Sequence, residues 1–456
     1  MQPTAKPPRS AIILAAGKGT RMQSDLPKVL HQVGGRPMID WSIALAEAAG
    51  CGKLVVVCSP EQETLIAHVA ERLGAEAVAI QAEQLGTGDA VKAAKTAIGS
   101  TAGSTIVLYA DTPLIPVGPI DEAFGMIEGG AATAVLGFEA REPGAYGRLV
   151  VDAKGALLRI VEARDCSAEE LAVTTCNSGV IAADGTRLFD LVDRITNDNA
   201  KGEYYLTDIV GIAAAAGGRS GVVFCEEDQF QGVNSRDQLA EANAAFQRRK
   251  RSEIMGAGVT LEAPETVFFS FDTRVGRDAI IEPHVVFAPG VTVGARATVK
   301  SFCYLEGAEL GEGVSVGPFA RVRPGTKIGD GARLGNFVEV KNVEVGPGAK
   351  LNHLTYVGDG KIGAGANIGA GTIFCNYNGF EKHRTDVGEG AFIGSNSALV
   401  APVRIGDGAY VGSGSVVTED VPDGALAVAR GRQVVRPGWA VSFAEGKRKQ
   451  EKGGDG

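Results

Sequence analysis

A chain of 456 residues is too long for one compact core, so two or more domains are expected. Its net charge of -9 argues against a general binder of nucleic acid or of an anionic membrane surface. No apolar stretch is long enough to span a membrane, the opening "MQPTAKPPRS" lacks a signal-peptide core, and seven cysteines without a CxxC pair suit a reducing cytoplasm.

Residues 1–9 are expected to be disordered, with structure beginning at residue 10. "AIILAAGKGTRM", residues 11–22, then sets an apolar run against a glycine-rich basic loop. It fits neither common phosphate loop. Lys18 falls between the glycines, unlike a P-loop, and Met22 stands where a dinucleotide fingerprint needs its third glycine. Gly17 and Gly19 still allow backbone amides to approach an anion, and Lys18 and Arg21 add positive charge. A strand-to-helix turn with solvated basic residues accounts for the same residues.

Beyond the loop, "KLVVVCS", "STIVLYAD" and "ATAVLGFE" are β-rich, while "IDWSIALAEAAG" and "EQETLIAHVAERLG" have helical period. Such alternation implies a largely parallel sheet covered on both faces. Residues 237–256 are expected as a linker helix, with "QRRKR" a solvated face rather than a nucleic-acid patch.

From Val275 the rhythm changes to six. Val275, Ile281, Phe287, Val293, Val299 and Leu305 follow one another at that interval, as do Val316, Val322, Ile328, Leu334 and Val340. The beat continues through Val345, Leu351, Val357, Ile362 and Ile368, and again from Val387 to Val417. A hexapeptide period predicts a parallel β-helix, one aliphatic per flat pointing inward and coils stacked about 4.8 Å apart. The prism alone says little about chemistry. "CNYNGFEKHRT" overruns the period and is expected to project as a loop; residues 441–456 are expected to be a flexible tail.

The motifs "LAAGKGTRM" and Pro27-Lys28 resemble the sugar-nucleotide pyrophosphorylases, and "RVRPG", "NFVEVKN", "NHLTYVGD", "NIGAGTIFCNY" and "IGSNSALVAPV" resemble the hexapeptide acyltransferases. Together, in this order, they resemble the bacterial family of bifunctional N-acetylglucosamine-1-phosphate uridyltransferase/glucosamine-1-phosphate N-acetyltransferases. That resemblance implies a Rossmann-like mixed-sheet α/β nucleotidyltransferase domain over 10–236. A left-handed parallel β-helix would follow over 257–440.

It also implies site residues. Leu14, Ala15, Ala16 and Gly17 would bind uridine and its phosphates, Lys18 and Arg21 the leaving pyrophosphate, and Lys28 the sugar phosphate. Gln81, Gly86 and Thr87 match the uracil-reading stretch, and Tyr109 matches another position of the nucleotide site. Gly147, Glu162 and Asn177 match sugar contacts, and Asp111 and Asn234 the Mg²⁺ ligands. Read alone, Asp111 serves equally as a strand-end cap. The family often has glycine where Ala110 stands, and histidine where Asp89 follows "GTG".

Acetyl transfer to an amine calls for a general base, and histidine is suited to it. The repeat leaves His284, His353 and His383; only the resemblance selects His353. It further implies Arg323, Lys341, Tyr356 and Asn367 for the acetyl acceptor. Ala370, Asn376, Tyr377, Ser395, Ser413 and Arg430 would hold acetyl-CoA. The implied substrates are UTP, acetyl-CoA and glucosamine 1-phosphate, and the implied assembly is a homotrimer with sites between subunits. A one-activity nucleotidyltransferase with a structural prism is the nearest rival, and a non-catalytic sugar-nucleotide-binding scaffold is another.

Overall fold

The computed structural model describes residues 7–99, 103–153 and 155–452. The chain divides into two compact units, one comprising residues up to Glu253 with Phe269–Phe271, the other Ile254–Phe268 and Asp272 onward.

Among the described residues the first unit is built on a nine-stranded mixed sheet. Strand Arg9–Leu14 lies at its centre, parallel to Cys51–Cys58 on one side and Ser104–Tyr109 on the other. Thr175–Asp184 enters antiparallel beside Ser104–Tyr109 and carries the pairing on to Thr133–Glu139 and Arg148–Val151. Alternation along the strands divides the core. Ile13, Val56 and Leu108 join helices Met38–Ala48, Glu63–Leu73 and Val117–Glu128 on one face. Ile12, Val55 and Val107 join Thr87–Ala93, Leu188–Val192 and Asp208–Ala215 on the other. Burial of both faces is what a run such as "AIIL" reports.

Three boundaries differ from those expected. Arg9, assigned to a disordered lead, opens the central strand, and its guanidinium is held by Asp121 at 2.6 Å and Glu128 at 3.0 Å; residues 1–6 lie outside the described residues. The helix expected as a linker runs Arg236–Gly256; its residues through Glu253 belong to the first unit, where Ala242, Ala245 and Phe246 are buried with Val33, Met38 and Val233. Within "QRRKR", Gln247 is buried and exchanges hydrogen bonds with the backbone of Phe269, and Arg249 donates to the Leu114 carbonyl at 2.7 Å. The tail is helical over Trp439–Lys452, where Trp439 and Phe443 stack four residues apart.

Among the described residues the second unit is one 22-stranded parallel β-helix in which most short strands pair with the strand three further on, so three flats repeat as a triangular coil. Every aliphatic on the six-residue beat from Ile281 to Val417 is buried. Val275 is half-buried, since its strand has no earlier strand beneath it on that flat. The breaks in the period are accommodated at the surface: Phe380 is 93% exposed at the tip of the loop after Cys375, while Phe374 at its root is fully buried. One flat carries outward charges of alternating sign, with Glu309, Lys327, Glu344, Lys361, Asp386 and Arg404 in register on six successive coils. Along a corner, His284, Phe302, Phe319 and Phe337 stack face to face with centroids 4.9–5.2 Å apart. Among the described residues no helix is long and apolar enough to cross a membrane.

Candidate functional site

In the first unit, parallel strands Arg9–Leu14 and Ser104–Tyr109 end side by side, and open α/β sheets place ligands at such carboxyl ends. A cleft of about 340 Å³ opens there. Leu14, Ala15, Ala16, Gly17, Lys28, Gln81, Gly86, Thr87, Tyr109 and Asp111 line it, as expected positions, together with Val29, Gln84, Ala90 and Glu203, which the sequence did not single out. Gln84 Nε2 donates to the Ala16 carbonyl at 2.5 Å and Gln62 Nε2 to that of Ala15 at 3.2 Å, so two side-chain amides hold the opening loop. No local motif marks either glutamine.

Gly19 is needed twice over. Its φ is +61°, and a Cβ there would meet Lys28 Cβ at 2.7 Å. Close approach of that loop delivers the Lys28 ammonium to Asp111 Oδ2 at 2.5 Å and Asn234 Oδ1 at 2.9 Å. Asp111 and Asn234 are themselves joined through backbone, since Val233 N–H donates to the Asp111 carbonyl at 2.9 Å. Lys18 and Arg21 stand exposed beside the loop and do not line the cleft.

Gly86, at φ +123°, lies so close to Tyr204 that a Cβ would meet its carbonyl oxygen at 2.5 Å. Thr87 Oγ1 accepts from Leu206 N–H at 3.0 Å. Burial, with Glu162 and Asp111 adding like charge, drives the Tyr109 phenol well above its ordinary value and keeps it neutral. The antiparallel strands bring the remaining expected residues together: Asn177 N–H donates to the Gly147 carbonyl at 2.8 Å, and a Cβ on Gly147 would lie 3.6 Å from Glu162 Oε1. Glu162 accepts from Thr207 Oγ1 at 3.2 Å, and burial raises its carboxyl pKa.

In the second unit, coil register places Asn336 beside His353, and Nδ1 of the imidazole lies 2.7 Å from Asn336 Oδ1. An amide oxygen there makes Nδ1 the protonated nitrogen and leaves Nε2 as the free base. The other two histidines are otherwise engaged: His284 stacks on Phe302, and His383 Nε2 lies 2.9 Å from Asn378 Nδ2. Asn336 and His353 each follow the inward leucine, Leu334 and Leu351, by two residues, so the repeat itself contained the signal for this pair.

Ala370, Ser395 and Ser413 hold that same position on the next three coils, because Leu351, Ile368, Ile393 and Val411 are in register. They form a row of small residues descending from His353. Arg430 Nη1 donates to the Ser413 carbonyl at 2.9 Å at the foot of the row. Arg323 is paired with Glu339 at 2.8 Å, and Tyr356 is in register with Glu339. Lys341 has its pKa lowered, first by Lys382 and then by burial, with Arg323 contributing, so three cations converge. Asn367 lies in register between Lys350 and Phe392 on the adjoining flat. Asn376, directly after the strand Ile373–Cys375 at the start of the projecting loop, is buried, its Nδ2 donating to Asp359 Oδ2 at 2.5 Å; Tyr377 is 59% exposed. Burial opposes ionisation of Asp359, but amide donors from Asn342 and Asn376 together with Lys341 and Lys382 bring its pKa below the ordinary value.

A strand-end cleft in an α/β unit and, in the same chain, a hexapeptide prism with a row of small residues below a histidine define a two-domain transferase. The MobA-like NTP transferase domain family matches residues 11–176, and the bacterial transferase hexapeptide (six repeats) matches residues 307–342 and 384–419. Curated relatives called "Bifunctional protein GlmU" extend over nearly the whole chain. That of Hyphomonas neptunium is 59% identical over 95% of this chain and 94% of its own. Those of Xanthobacter autotrophicus and Caulobacter vibrioides are 53% and 52% identical, covering 96% and 97% of this chain and 98% and 96% of their own. The chain belongs to the bifunctional GlmU family.

Proposed function

We infer that the chain transfers acetyl from acetyl-CoA to glucosamine 1-phosphate at the prism, and uridylyl from UTP to the resulting N-acetylglucosamine 1-phosphate at the cleft. The single observation carrying this is that one chain holds both machineries: a strand-end cleft with a Lys28–Asp111–Asn234 cluster, and a histidine oriented by an amide at the head of a small-residue row.

At the prism, His353 Nε2 takes a proton from the attacking amine, with Asn336 holding the imidazole. Arg323, Lys341 and Lys382 supply the positive field that a phosphate monoester requires. The row Ala370, Ser395, Ser413 leaves room for an extended thioester arm along the coil edge, with Arg430 at its far end. In a homotrimer Tyr377 would meet a neighbouring prism, a reading that its exposed loop supports.

At the cleft, an in-line attack on the α-phosphorus is chiefly positioning and charge neutralisation. Asp111 and Asn234 fit Mg²⁺: both present oxygen atoms, and the two oxygens already converge on a cation, the Lys28 ammonium. When bound, Mg²⁺ supplies charge neutralisation for the triphosphate. Lys28 holds the sugar phosphate, and Lys18 and Arg21, exposed beside the loop, take the departing pyrophosphate. With seven free cysteines, the protein suits the cytoplasm.

The test is made on the full chain with Asp111→Ala and His353→Ala. Asp111→Ala is expected to lose pyrophosphate release and keep CoA thiol release; His353→Ala is expected to do the reverse. Thiol release that survives His353→Ala would move the base elsewhere.

A further inference from the structure

Gln81 lines the cleft and is 4% exposed. Its Nε2 donates to the Gly86 carbonyl at 3.1 Å and to Asp89 Oδ2 at 2.8 Å. A primary amide has two N–H donors at one end and a carbonyl acceptor at the other. Both donors are therefore committed, and among the described residues no donor takes up Oε1. A flipped amide would set Oε1 against a carboxylate and a carbonyl, two acceptors, so only one orientation is stable.

An acidic residue in the first turn of the helix Thr87–Ala93 has an ordinary use, since the helix dipole favours it. That use does not require its carboxylate to reach a buried amide. Nor does it explain why the acceptor is ionisable where a hydroxyl would also serve; an ionised carboxylate cannot donate at all, which removes the alternative hydrogen-bond pattern.

We propose that Asp89 is the positioning residue that sets which pyrimidine the cleft accepts, by locking Gln81 with its carbonyl oxygen toward the base. Resting on the reading that Gln81 faces the base of the nucleoside triphosphate, this makes the site an acceptor at one fixed point. Uracil and thymine carry an imide N–H that can donate there. Cytosine has an unprotonated ring nitrogen at the same place, so two acceptors would face one another without a proton. A site whose polar group is left unpaired rejects the mismatched ligand far more strongly than one that differs only in apolar volume. The discrimination thus depends on a residue that is not among those lining the cleft.

The experiment compares kcat/KM for UTP and CTP in wild type, Asp89→Ala, Asp89→Leu and Gln81→Ala full-length protein, with Mg²⁺ and N-acetylglucosamine 1-phosphate. Each ratio comes from a single preparation, so a loss of folded protein cancels. Leucine, with the branched outline of aspartate and favourable to helix, guards against a fold defect of the alanine variant. Both Asp89 variants are expected to lower the UTP-over-CTP ratio by about tenfold or more, chiefly through a higher KM for UTP. Gly86 still accepts one amide hydrogen, so they retain some preference, and Gln81→Ala falls furthest. If both Asp89 variants stay within tenfold of the wild-type ratio while Gln81→Ala collapses, the locking role is overturned and the base reading stands. If Gln81→Ala also keeps the wild-type ratio, the base reading itself is overturned, and the proposal with it.

Discussion

Gly335→Ala puts a single methyl group where the prism has no space for one. Gly335 immediately precedes Asn336 and lies directly against the next coil at Asn352, the residue before His353. An added Cβ would overlap the Asn352 carbonyl oxygen and stand 2.6 Å from its carbonyl carbon and 2.9 Å from its Cα, where ordinary contact is 3.4–4 Å. The neighbours are backbone and cannot rotate away, so the two coils must part by about 1 Å at the point that holds the Asn336–His353 pair. Overpacking of this kind costs about 1–3 kcal/mol of stability. Misplacing a catalytic pair by about 1 Å costs on the order of 100-fold in rate. The assay follows both activities and thermal unfolding of the same preparation. The expected outcome is acetyl transfer reduced about 100-fold, uridylyl transfer within about twofold of wild type, and a lowered unfolding temperature for the prism. Acetyl transfer within about threefold of wild type, with unchanged unfolding, would refute the close approach of the coils and the claim that it sets the geometry of His353.

Asn336→Ala removes the acceptor for His353 Nδ1; kcat for acetyl transfer should fall about 10- to 100-fold with KM for acetyl-CoA little changed, as steady-state kinetics would show. Burial, with Glu162 and Asp165 nearby, pushes the Asp208 carboxyl from its ordinary 3.8 up to about 6. A raised carboxyl favours its protonated form, so the stability it contributes is present below about pH 4 and is lost as pH rises through about 6. Asp208→Asn should therefore stabilise the first unit by about 1–2 kcal/mol at pH 8, allowing for solvent screening, and by nothing measurable at pH 4; denaturant titrations at the two pH values check this. Phe374 is fully buried at the root of the projecting loop, and Phe374→Ala should cost about 3–5 kcal/mol in urea unfolding of the prism.

The hexapeptide beat made the prism legible because its periodicity is local: one aliphatic in six reports one flat, and the buried side chains from Ile281 to Val417 occupy those positions. Asn336 could have been found by the same arithmetic, two residues beyond Leu334 as His353 is beyond Leu351. Clusters assembled across long separations were legible only by resemblance. Lys28 meets Asp111 and Asn234 over 83 and 206 residues, and no spacing rule links them. Arg236–Gly256 misled for a different reason: Ala242, Ala245 and Phe246 form a narrow buried stripe on an otherwise polar helix, which reads as a linker until its partners are known. The buried state of Asn376 was hidden likewise, because its partner Asp359 belongs to the preceding coil.

Repetition leaves a folding prism with an addressing problem. Each coil offers its neighbours nearly the same inward aliphatics, so a chain that skipped a coil would still bury Val, Ile and Leu against Val, Ile and Leu. The alternating flat distinguishes the correct stacking from that error. In the native stack Lys327, Glu344, Lys361 and Asp386 each meet the opposite sign above and below, and Glu309 and Arg404 close the row at its two ends. Omitting one coil would bring glutamate to glutamate or lysine toward arginine, a like-charge contact directly across a parallel pair, which is destabilising. A skip of two coils would restore opposite signs and escape this check, but it strands roughly 36 residues outside the stack and forfeits their burial. The charge row thus works as a parity bit for a sequence whose hydrophobic letters repeat.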